Sequence, residues 1–81
     1  MAYKITYKQS VEKDLQGTHK KQVKLIFDSI RDDLAKNPKK KGEPIHGDWQ
    51  GHGKYSMWFY VVIYEIFDRE DTIRIDRIGH R

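Results

Sequence analysis

The spacing of the hydrophobic positions changes twice along the chain. Near the start, Tyr3, Ile5 and Tyr7 alternate with polar residues, a period of two that predicts a half-buried β-strand. Residues 55–67 and 72–81 again show strand-like patterns. Between these regions, apolar side chains recur at helical spacing and give the strongest helix signal in the chain: Val23, Ile26, Phe27, Ile30 and Leu34.

Capping residues set the predicted start of each helix. Ser10 is a favourable N-cap for a short first helix, whose apolar stripe consists of Val11 and Leu15. Gly17 ends that helix, because glycine adopts the left-handed conformation that closes a helix. Thr18 can cap the longer second helix. The two helices are therefore close enough in sequence to form a helical hairpin.

A polar segment follows the second helix. Asn37-Pro38 stops the helix, since a residue before proline avoids the α conformation. Residues 39–44 predict a loop, and residues 45–50 are extended or irregular. Gly51-His52-Gly53 indicates a turn ahead of the remaining strands.

Two adjacent strands dominate the last third of the chain. Residues 60–66 are apolar on both faces of an extended strand, which is typical of a central strand. Residues 72–81 form a charged, alternating strand that ends in the basic tip Gly79-His80-Arg81, and residues 68–71 form the turn between the two. A buried strand beside one that carries Arg and His to one end is a suitable support for an anion site.

The stretch Met57-Trp58-Phe59-Tyr60 stands where a hairpin turn is expected, yet these residues are poor at the positive φ of tight turns. Two structures are open: an irregular turn, or one long strand through residues 55–67. A long apolar strand would invite pairing with another chain, so self-association through residues 55–67 is a further expectation. Trp58 is interpreted as a core or interface residue, with stacking on a nucleobase as the alternative.

These elements predict a single α+β domain over residues 1–81. An N-terminal strand leads into the helical hairpin, and an antiparallel meander follows, with the helices on one face of the sheet. The helical stripe needs an apolar surface to cover it. We expect that surface to contain Ile5, Val62, Tyr64 and Ile73 or Ile75.

Composition narrows the class of partner and compartment. The formal net charge of +4, with a pI near 9.4, favours acidic partners such as nucleic acid or an acidic protein. The absence of cysteine excludes disulfides and thiolate metal sites. No apolar run approaches the ~20 residues of a membrane span, and the start lacks the apolar stretch of a signal peptide, so we expect a cytoplasmic protein. The four histidines lack metal-ligand spacing, and we expect neither a metal nor a cofactor.

The strand Tyr60-Val61-Val62-Ile63-Tyr64-Glu65-Ile66 and the ending Ile78-Gly79-His80-Arg81 resemble the sheet core of the RelE/ParE toxin superfamily. The order of elements, the length and the Asn37-Pro38 helix stop extend this resemblance over nearly the whole chain. It implies the toxin of a type II toxin–antitoxin pair, neutralised by a cognate acidic antitoxin. RelE-like members cut mRNA on the ribosome, whereas ParE-like members poison DNA gyrase.

The RelE-like chemistry that the resemblance implies needs no metal. The RNA 2′-hydroxyl attacks the adjacent phosphate, and Arg and Lys side chains stabilise the phosphorane. Carried over by position, Lys54 and Arg81 retain the family's cations, and His80 is the expected proton shuttle. Ser56 and Val61 replace two further basic groups, and the C-terminal tyrosine has no counterpart. The catalytic prediction is therefore Lys54, His80 and Arg81, with weak or absent activity.

Further residues are assigned to RNA binding. Lys39, Lys40 and Lys41 could contact phosphates from their loop. Arg74 and Arg77 should lie on opposite faces of the last strand, so that one of them reaches the nucleic acid. A YafQ-like sub-branch uses histidines and aspartates instead, and its Gly-x-Trp-x-Gly segment resembles residues 47–51. His46 and His52 flank that segment but do not match its site positions, and we interpret both as exposed loop residues.

The leading functional prediction is a RelE-like, ribosome-dependent mRNA endoribonuclease (an mRNA interferase that inhibits translation), attenuated by Ser56 and Val61. The alternative is a non-catalytic protein of the same fold, either a ParE-like inhibitor or a partner that engages only its antitoxin. Val61 in the place of an arginine favours the alternative, and the basic end formed by Lys54, His80 and Arg81 favours the nuclease.

Overall fold

The computed structural model describes residues 2–45 and 51–81, so the predictions for His46 and for residues 47–50 lie outside the described part. Two short 3₁₀ turns, Leu34–Lys36 and Asp68–Glu70, separate longer elements. The strands and helices, in chain order, are β1 (Lys4–Tyr7), α1 (Gln9–Leu15), α2 (Lys20–Asp32), α3 (Pro38–Lys41), β2 (Glu43–Pro44), β3 (His52–Met57), β4 (Tyr60–Phe67) and β5 (Thr72–His80).

The strands form one five-stranded sheet in the order β1-β5-β4-β3-β2. Strand β1 runs parallel to β5, and the other neighbouring pairs are antiparallel. The long apolar strand β4 is therefore central, as its sequence predicts. The α+β architecture, with an N-terminal strand, helices and an antiparallel meander, is confirmed.

The core lies between the helical stripe and one face of the sheet. Ile26, Ile30 and Leu34 are fully buried. They belong to one apolar cluster with the sheet residues Val62, Tyr64, Ile73 and Ile75, and Ile5 packs at its margin. Val23 is only partly buried. The predicted packing of helix on sheet is confirmed.

Both helix caps differ from the prediction. Helix α1 begins at Gln9, so Ser10 lies inside the first turn, and its hydroxyl donates to the carbonyl of Asp76 at 2.8 Å instead of capping. The N-cap of α2 is His19, not Thr18: its Nδ1 accepts from the backbone N–H of Lys21 at 3.1 Å. Imidazole can replace a hydroxyl here because its unprotonated nitrogen is also an acceptor.

Asn37-Pro38 begins a helix as well as following one. Helix α2 already ends at Asp32, and the Asn37 side chain caps α3 by accepting from the N–H of Lys40 at 3.2 Å. Proline suits the first helical position because its missing N–H would have no partner there. The prediction of a loop over residues 39–44 is therefore wrong, since these residues form α3, Gly42 and β2.

The β3–β4 connection is a tight hairpin. Met57 pairs with Tyr60, which leaves Trp58 and Phe59 as the turn, and Trp58 has a positive φ of 44°. Of the two open structures, the turn forms, but as a tight two-residue hairpin turn and not as an irregular one. The continuous strand over residues 55–67 does not form, and β4 is paired on both sides, so the predicted basis for self-association is absent.

A β-bulge in β5 changes the orientation of the last strand. Tyr64 pairs with Ile75 while Ile63 pairs with Arg77, which leaves Asp76 as the extra residue. Arg74 pairs with Glu65, two residues from Ile63 and thus on the same face of β4. The prediction that Arg74 and Arg77 lie on opposite faces is therefore wrong, because the bulge resets the alternation between them.

Candidate functional site

The sheet face opposite the helices carries the candidate site. We call it the open face. On β4 it consists of the half-buried side chains of Val61, Ile63, Glu65 and Phe67, which alternate with the buried core residues. On β3 it carries exposed residues that pair across to these positions: His52, Lys54 and Ser56.

Four titratable or charged side chains meet on the open face, and we call them the charged cluster: His52, Glu65, Arg74 and Asp76. The Nε2 atom of His52 lies 2.6 Å from Glu65 Oε1 and 3.9 Å from Asp76 Oδ2. The Arg74 guanidinium lies 2.7 Å from Asp76 Oδ1 and 3.6 Å from Glu65 Oε1. Each carboxylate thus contacts both a guanidinium and an imidazole.

The bulge explains why Asp76 belongs to this cluster. Its side chain is only 10% exposed, so its charge requires partners. Arg74 provides one, and the hydrogen bond from that guanidinium to Asp76 raises the pKa of Arg74 above its usual value. Arg74 also lies over the ring of Phe67, with 5.3 Å between the guanidinium carbon and the ring centre.

Only the charged cluster, among the described residues, brings metal-ligating atoms together. The ligand atoms of His52, Glu65 and Asp76 lie within 4.8 Å of one another. However, Arg74 already supplies a positive charge between the two carboxylates. Arg74 and His52 therefore provide partners for both carboxylates, and the cluster does not require a bound ion.

The charged cluster contains groups that can transfer a proton and groups that can bind an anion. The Glu65 carboxylate fixes the orientation of the His52 ring, and an oriented imidazole can accept or donate a proton. Arg74 uses its Nε for Asp76, and its other N–H donors can bind a phosphate oxygen. Lys54 adds a second cation two residues from His52 on the same strand face.

The structure separates the three residues predicted to be catalytic. Lys54 lies on the open face, with its Nζ 4.0 Å from Glu43 Oε2. His80 pairs with Tyr60 and stacks on its ring at 4.7 Å, on the other face of the sheet. Arg81 lies at the hairpin, where its guanidinium donates to the carbonyl of Trp58 at 3.2 Å. His80 and Arg81 are therefore neighbours, and Lys54 is not with them.

Most of the residues predicted to bind RNA are already paired with carboxylates. Lys39 contacts Asp68 at 2.7 Å, Lys41 contacts Asp33 at 3.2 Å, and Arg77 contacts Asp14 at 3.0 Å, while Arg74 belongs to the charged cluster. Lys40 makes no ion pair within residues 2–45 and 51–81. The pairs of Lys39 and Lys41 are exposed and weak, so a phosphate could displace them.

Sequence reasoning missed His52, Glu65 and Asp76 as site residues. The sequence Gly51-His52-Gly53 indicates a turn, but His52 begins β3 and faces Glu65 across the strand pair. The available signal was the spacing of two between His52 and Lys54, which places both on one strand face. Asp76 carried no such signal, since only the bulge brings it to that face.

Comparison with known proteins assigns the family. A family description, the ParE toxin of the type II toxin–antitoxin system parDE, matches residues 5–81. The chain belongs to this family. It is thus a toxin of the RelE/ParE superfamily, as the strand and tip motifs of the sequence predict. No curated protein sequence matches the chain significantly.

Solved structures share the fold. The RelBE2 toxin–antitoxin complex from Mycobacterium tuberculosis matches with a TM-score of 0.89 and 22% identity, covering 100% of this chain and 93% of that one. The intact RelBE complex from E. coli matches with a TM-score of 0.79 and 12% identity, covering 99% and 98%. The archaeal RelE–RelB complex from Pyrococcus horikoshii matches with a TM-score of 0.71 and 24% identity, covering 100% and 97%.

Three of the positions matched in the family resemblance lie together on the open face of the toxin. Lys54, Ser56 and Val61 all lie on the open face, and Ser56 is paired directly with Val61. Gly79 faces Val61 from β5 and leaves room there, since a Cβ added at Gly79 would meet no atom within 4 Å.

Among the described residues, no helix is long and apolar enough to cross a membrane.

Proposed function

We propose that this toxin is a ribosome-dependent mRNA endoribonuclease of low activity, and that the open face is its catalytic surface. The observation that carries the proposal is the contact of His52 with Glu65 at 2.6 Å, with Arg74 in the same cluster. An oriented imidazole beside a guanidinium provides a proton acceptor and a phosphate ligand on one surface. His52 therefore replaces His80 as the proposed proton shuttle.

The proposed reaction requires no metal ion. The RNA 2′-oxygen attacks the adjacent phosphorus while His52 accepts the 2′-proton, and the bond from phosphorus to the 5′-oxygen breaks. The leaving 5′-oxygen takes a proton from water or from a protonated group on the toxin. Arg74 and Lys54 stabilise the negative charge of the phosphorane. The products are a cyclic phosphate and a 5′-hydroxyl.

Primer extension on an mRNA in a translation extract, with and without the toxin, tests this proposal. We expect new 5′ ends in the mRNA with wild type, and a loss of roughly 100-fold or more in rate for His52→Gln, in line with the loss of a proton-transfer group. His80→Gln is the matched control, because His80 lies on the other face. Loss of cleavage with His80→Gln but not with His52→Gln would move the site to the chain end.

A binding-only function is the second candidate. The matching family description names ParE, and Ser56 and Val61 leave the open face without two basic groups that the RelE-like resemblance expects. This reading predicts that the toxin inhibits DNA gyrase without cutting RNA. A gyrase supercoiling assay beside the primer-extension assay separates the two candidates, since each predicts activity in only one of them.

We further propose that an acidic antitoxin neutralises the toxin. The matching structures from Mycobacterium tuberculosis, E. coli and Pyrococcus horikoshii are toxin–antitoxin complexes. On this chain, the helical hairpin of α1 and α2 offers a surface for acidic side chains. Its exposed lysines form no ion pair with a described residue: Lys8, Lys13, Lys20, Lys21 and Lys24.

A further inference from the structure

The β3–β4 hairpin ends in two exposed aromatic side chains, which we call the aromatic tip: Trp58 and Phe59. Trp58 is 58% exposed and Phe59 is 75% exposed. Aromatic rings contribute most to stability when they are buried, and these two rings contribute little to the core. Their exposure therefore calls for a reason outside folding.

The backbone of the tip disfavours a tryptophan at position 58. Trp58 has a φ of 44°, in the left-handed region that glycine, asparagine and aspartate adopt most easily. An aromatic residue at this position strains the turn, where a glycine would relieve it. An aromatic side chain that is exposed and also sits in an unfavourable backbone conformation indicates a candidate contact surface.

Arg81 fixes the tip in place. Its backbone N–H donates to the carbonyl of Phe59 at 2.8 Å, and its guanidinium donates to the carbonyl of Trp58 at 3.2 Å. The guanidinium therefore lies against the backbone of the turn, with further N–H donors available. The tip is thus held in one conformation before any ligand arrives, which lowers the entropy lost on binding.

Arg81 provides a positive charge at the tip. The sequence has no Asp or Glu from Lys54 to Tyr64, nor from Arg77 to Arg81. A partner that suits this end has a flat π-face to stack on the rings and a negative group for Arg81. An unpaired nucleotide has both, a base and its phosphate.

We propose that the aromatic tip is a stacking platform for an unpaired base of single-stranded RNA, with the adjoining phosphate bound by Arg81. This inference rests on RNA being the substrate and adds a contact outside the open face. It commits to RNA rather than to a lipid surface or an apolar protein segment, because those ligands do not require an aromatic face.

The test measures RNA binding directly, without cleavage. In a Trp49→Phe background Trp58 is the sole tryptophan, since the chain has two. A short single-stranded RNA should quench Trp58 fluorescence, and a sugar–phosphate oligomer of equal length without bases should not. Anisotropy of a labelled RNA should show a roughly 5- to 150-fold weaker affinity for the Trp58→Leu/Phe59→Leu variant, the range for losing base stacking.

Two variants separate stacking from a general apolar effect. Trp58→Tyr should bind the RNA with most of the wild-type affinity, because tyrosine also has a π-face. Leu25→Ala should leave affinity unchanged, since Leu25 is an exposed apolar residue on α2. Arg81→Ala should weaken binding and reduce the slope of log affinity against log salt by about 1.

Equal affinity of the Leu/Leu variant, or equal binding of the oligomer without bases, would overturn the proposal. Binding of Trp58 to phosphatidylserine/phosphatidylcholine vesicles, with no change of fluorescence on adding RNA, would overturn it in favour of a lipid surface. If wild type binds no RNA, the inference fails, and cleavage in the translation extract still decides the nuclease proposal on its own. If base-dependent binding holds but the translation extract shows no cleavage, only the nuclease proposal fails.

Discussion

The hydroxyl of Tyr64, in the central strand, donates a 2.6 Å hydrogen bond to the carbonyl of Pro38 at the start of α3. Tyr64 is fully buried, and this burial raises its pKa to about 12, so the hydroxyl stays a neutral donor. The Tyr64 hydroxyl also lies so close to Gly42 that any Cβ there would overlap it. This contact joins the sheet core to the segment between α2 and β2.

Tyr64→Phe should therefore destabilise the toxin. It removes the donor, while the Pro38 carbonyl still accepts from the N–H of Gly42 at 3.3 Å, so the expected loss is about 0.5–1.5 kcal/mol in the free energy of unfolding. Tyr60→Phe is the matched control, because Tyr60 is equally part of the core but its contact is a ring stack with His80. Urea unfolding of both variants measures the difference. Equal losses for the two variants would show that the hydrogen bond contributes nothing specific.

The helical stripe supplies a second stability prediction. Ile30→Ala or Leu34→Ala removes a fully buried side chain between helix and sheet and should lower the free energy of unfolding by about 2–4 kcal/mol. That is a large share of the total for a domain of this size. Leu25→Ala, on the exposed side of α2, should change it by less than 0.5 kcal/mol. Urea melts that show a small loss at Ile30 would remove that residue from the core.

Asp14 joins α1 to β5 and should make stability depend on pH. Its carboxylate accepts from the Arg77 guanidinium at 3.0 and 3.1 Å and from the N–H of Ile78 at 3.0 Å. The hydrogen bond from Arg77 lowers the pKa of Asp14, and the backbone hydrogen bond from Ile78 adds to that effect. A lowered folded-state pKa means that this stabilisation is complete above the unfolded-state pKa and is lost as pH falls through the folded-state pKa.

Asp14→Asn should therefore lower stability at pH 7 by about 1.5–3 kcal/mol, the range for hydrogen bonds to a charged group. The same variant should show a shallower loss of stability than wild type as pH falls below about 4, where aspartate begins to protonate. Thermal unfolding from pH 7 down to pH 2 measures both effects. Glu12→Gln is the control on the same helix, since Glu12 makes no ion pair within the described residues. Identical acid profiles for Asp14→Asn and wild type would contradict the assignment.

The parts of the fold that could be predicted depend on short-range periodicity. The spacing of Ile26, Ile30 and Leu34 indicates their burial, and the apolar run in residues 60–66 indicates a central strand. The hydrophobic spacing of an element predicts which side is buried in the folded protein, because each element must bury its apolar side. The cap at His19 was missed because several residues near a helix start can accept the same N–H.

The candidate site was harder to predict because it depends on strand register. Lys54 and His80 both lie near strand ends in the sequence, but pairing puts them on opposite faces. The bulge at Asp76 shifts one residue of β5, and this shift alone brings Arg74 and Arg77 to the same face. The residue spacing in the sequence does not indicate such a bulge, because a bulge is defined only by the pairing of the strand with its neighbour.

Binding of an acidic antitoxin should depend on salt. The net charge of +4 and the exposed lysines of α1 and α2 predict an electrostatic contribution that weakens as ions screen it. Titrating the antitoxin at low and high salt measures the effect. Lys20→Ala/Lys21→Ala should reduce the salt dependence, whereas Lys39→Ala, already paired with Asp68, should change it less. Affinity that is independent of salt would show that the complex is held by apolar contacts alone.

Val61 provides the most direct test of activity, because it occupies the position of an arginine in the resembled strand. Its side chain lies on the open face between Ser56 and Gly79, where the glycine leaves space for a longer residue. Loss of one well-placed cation typically lowers the rate by ~100- to 1000-fold, so Val61→Arg should raise cleavage by up to that factor. Primer extension in a translation extract and growth arrest on induction measure the gain.

Two controls keep this last test specific. Ile63→Arg adds the same charge to the open face two residues along β4, so an equal gain from both variants would indicate only non-specific RNA binding. Arg81→Ala examines the cation retained at the hairpin, where the sequence predicts a catalytic role. A folded Val61→Arg toxin with no gain in cleavage or growth arrest, together with unchanged behaviour of Arg81→Ala, would favour the binding-only function. In that case inhibition of gyrase becomes the activity to measure.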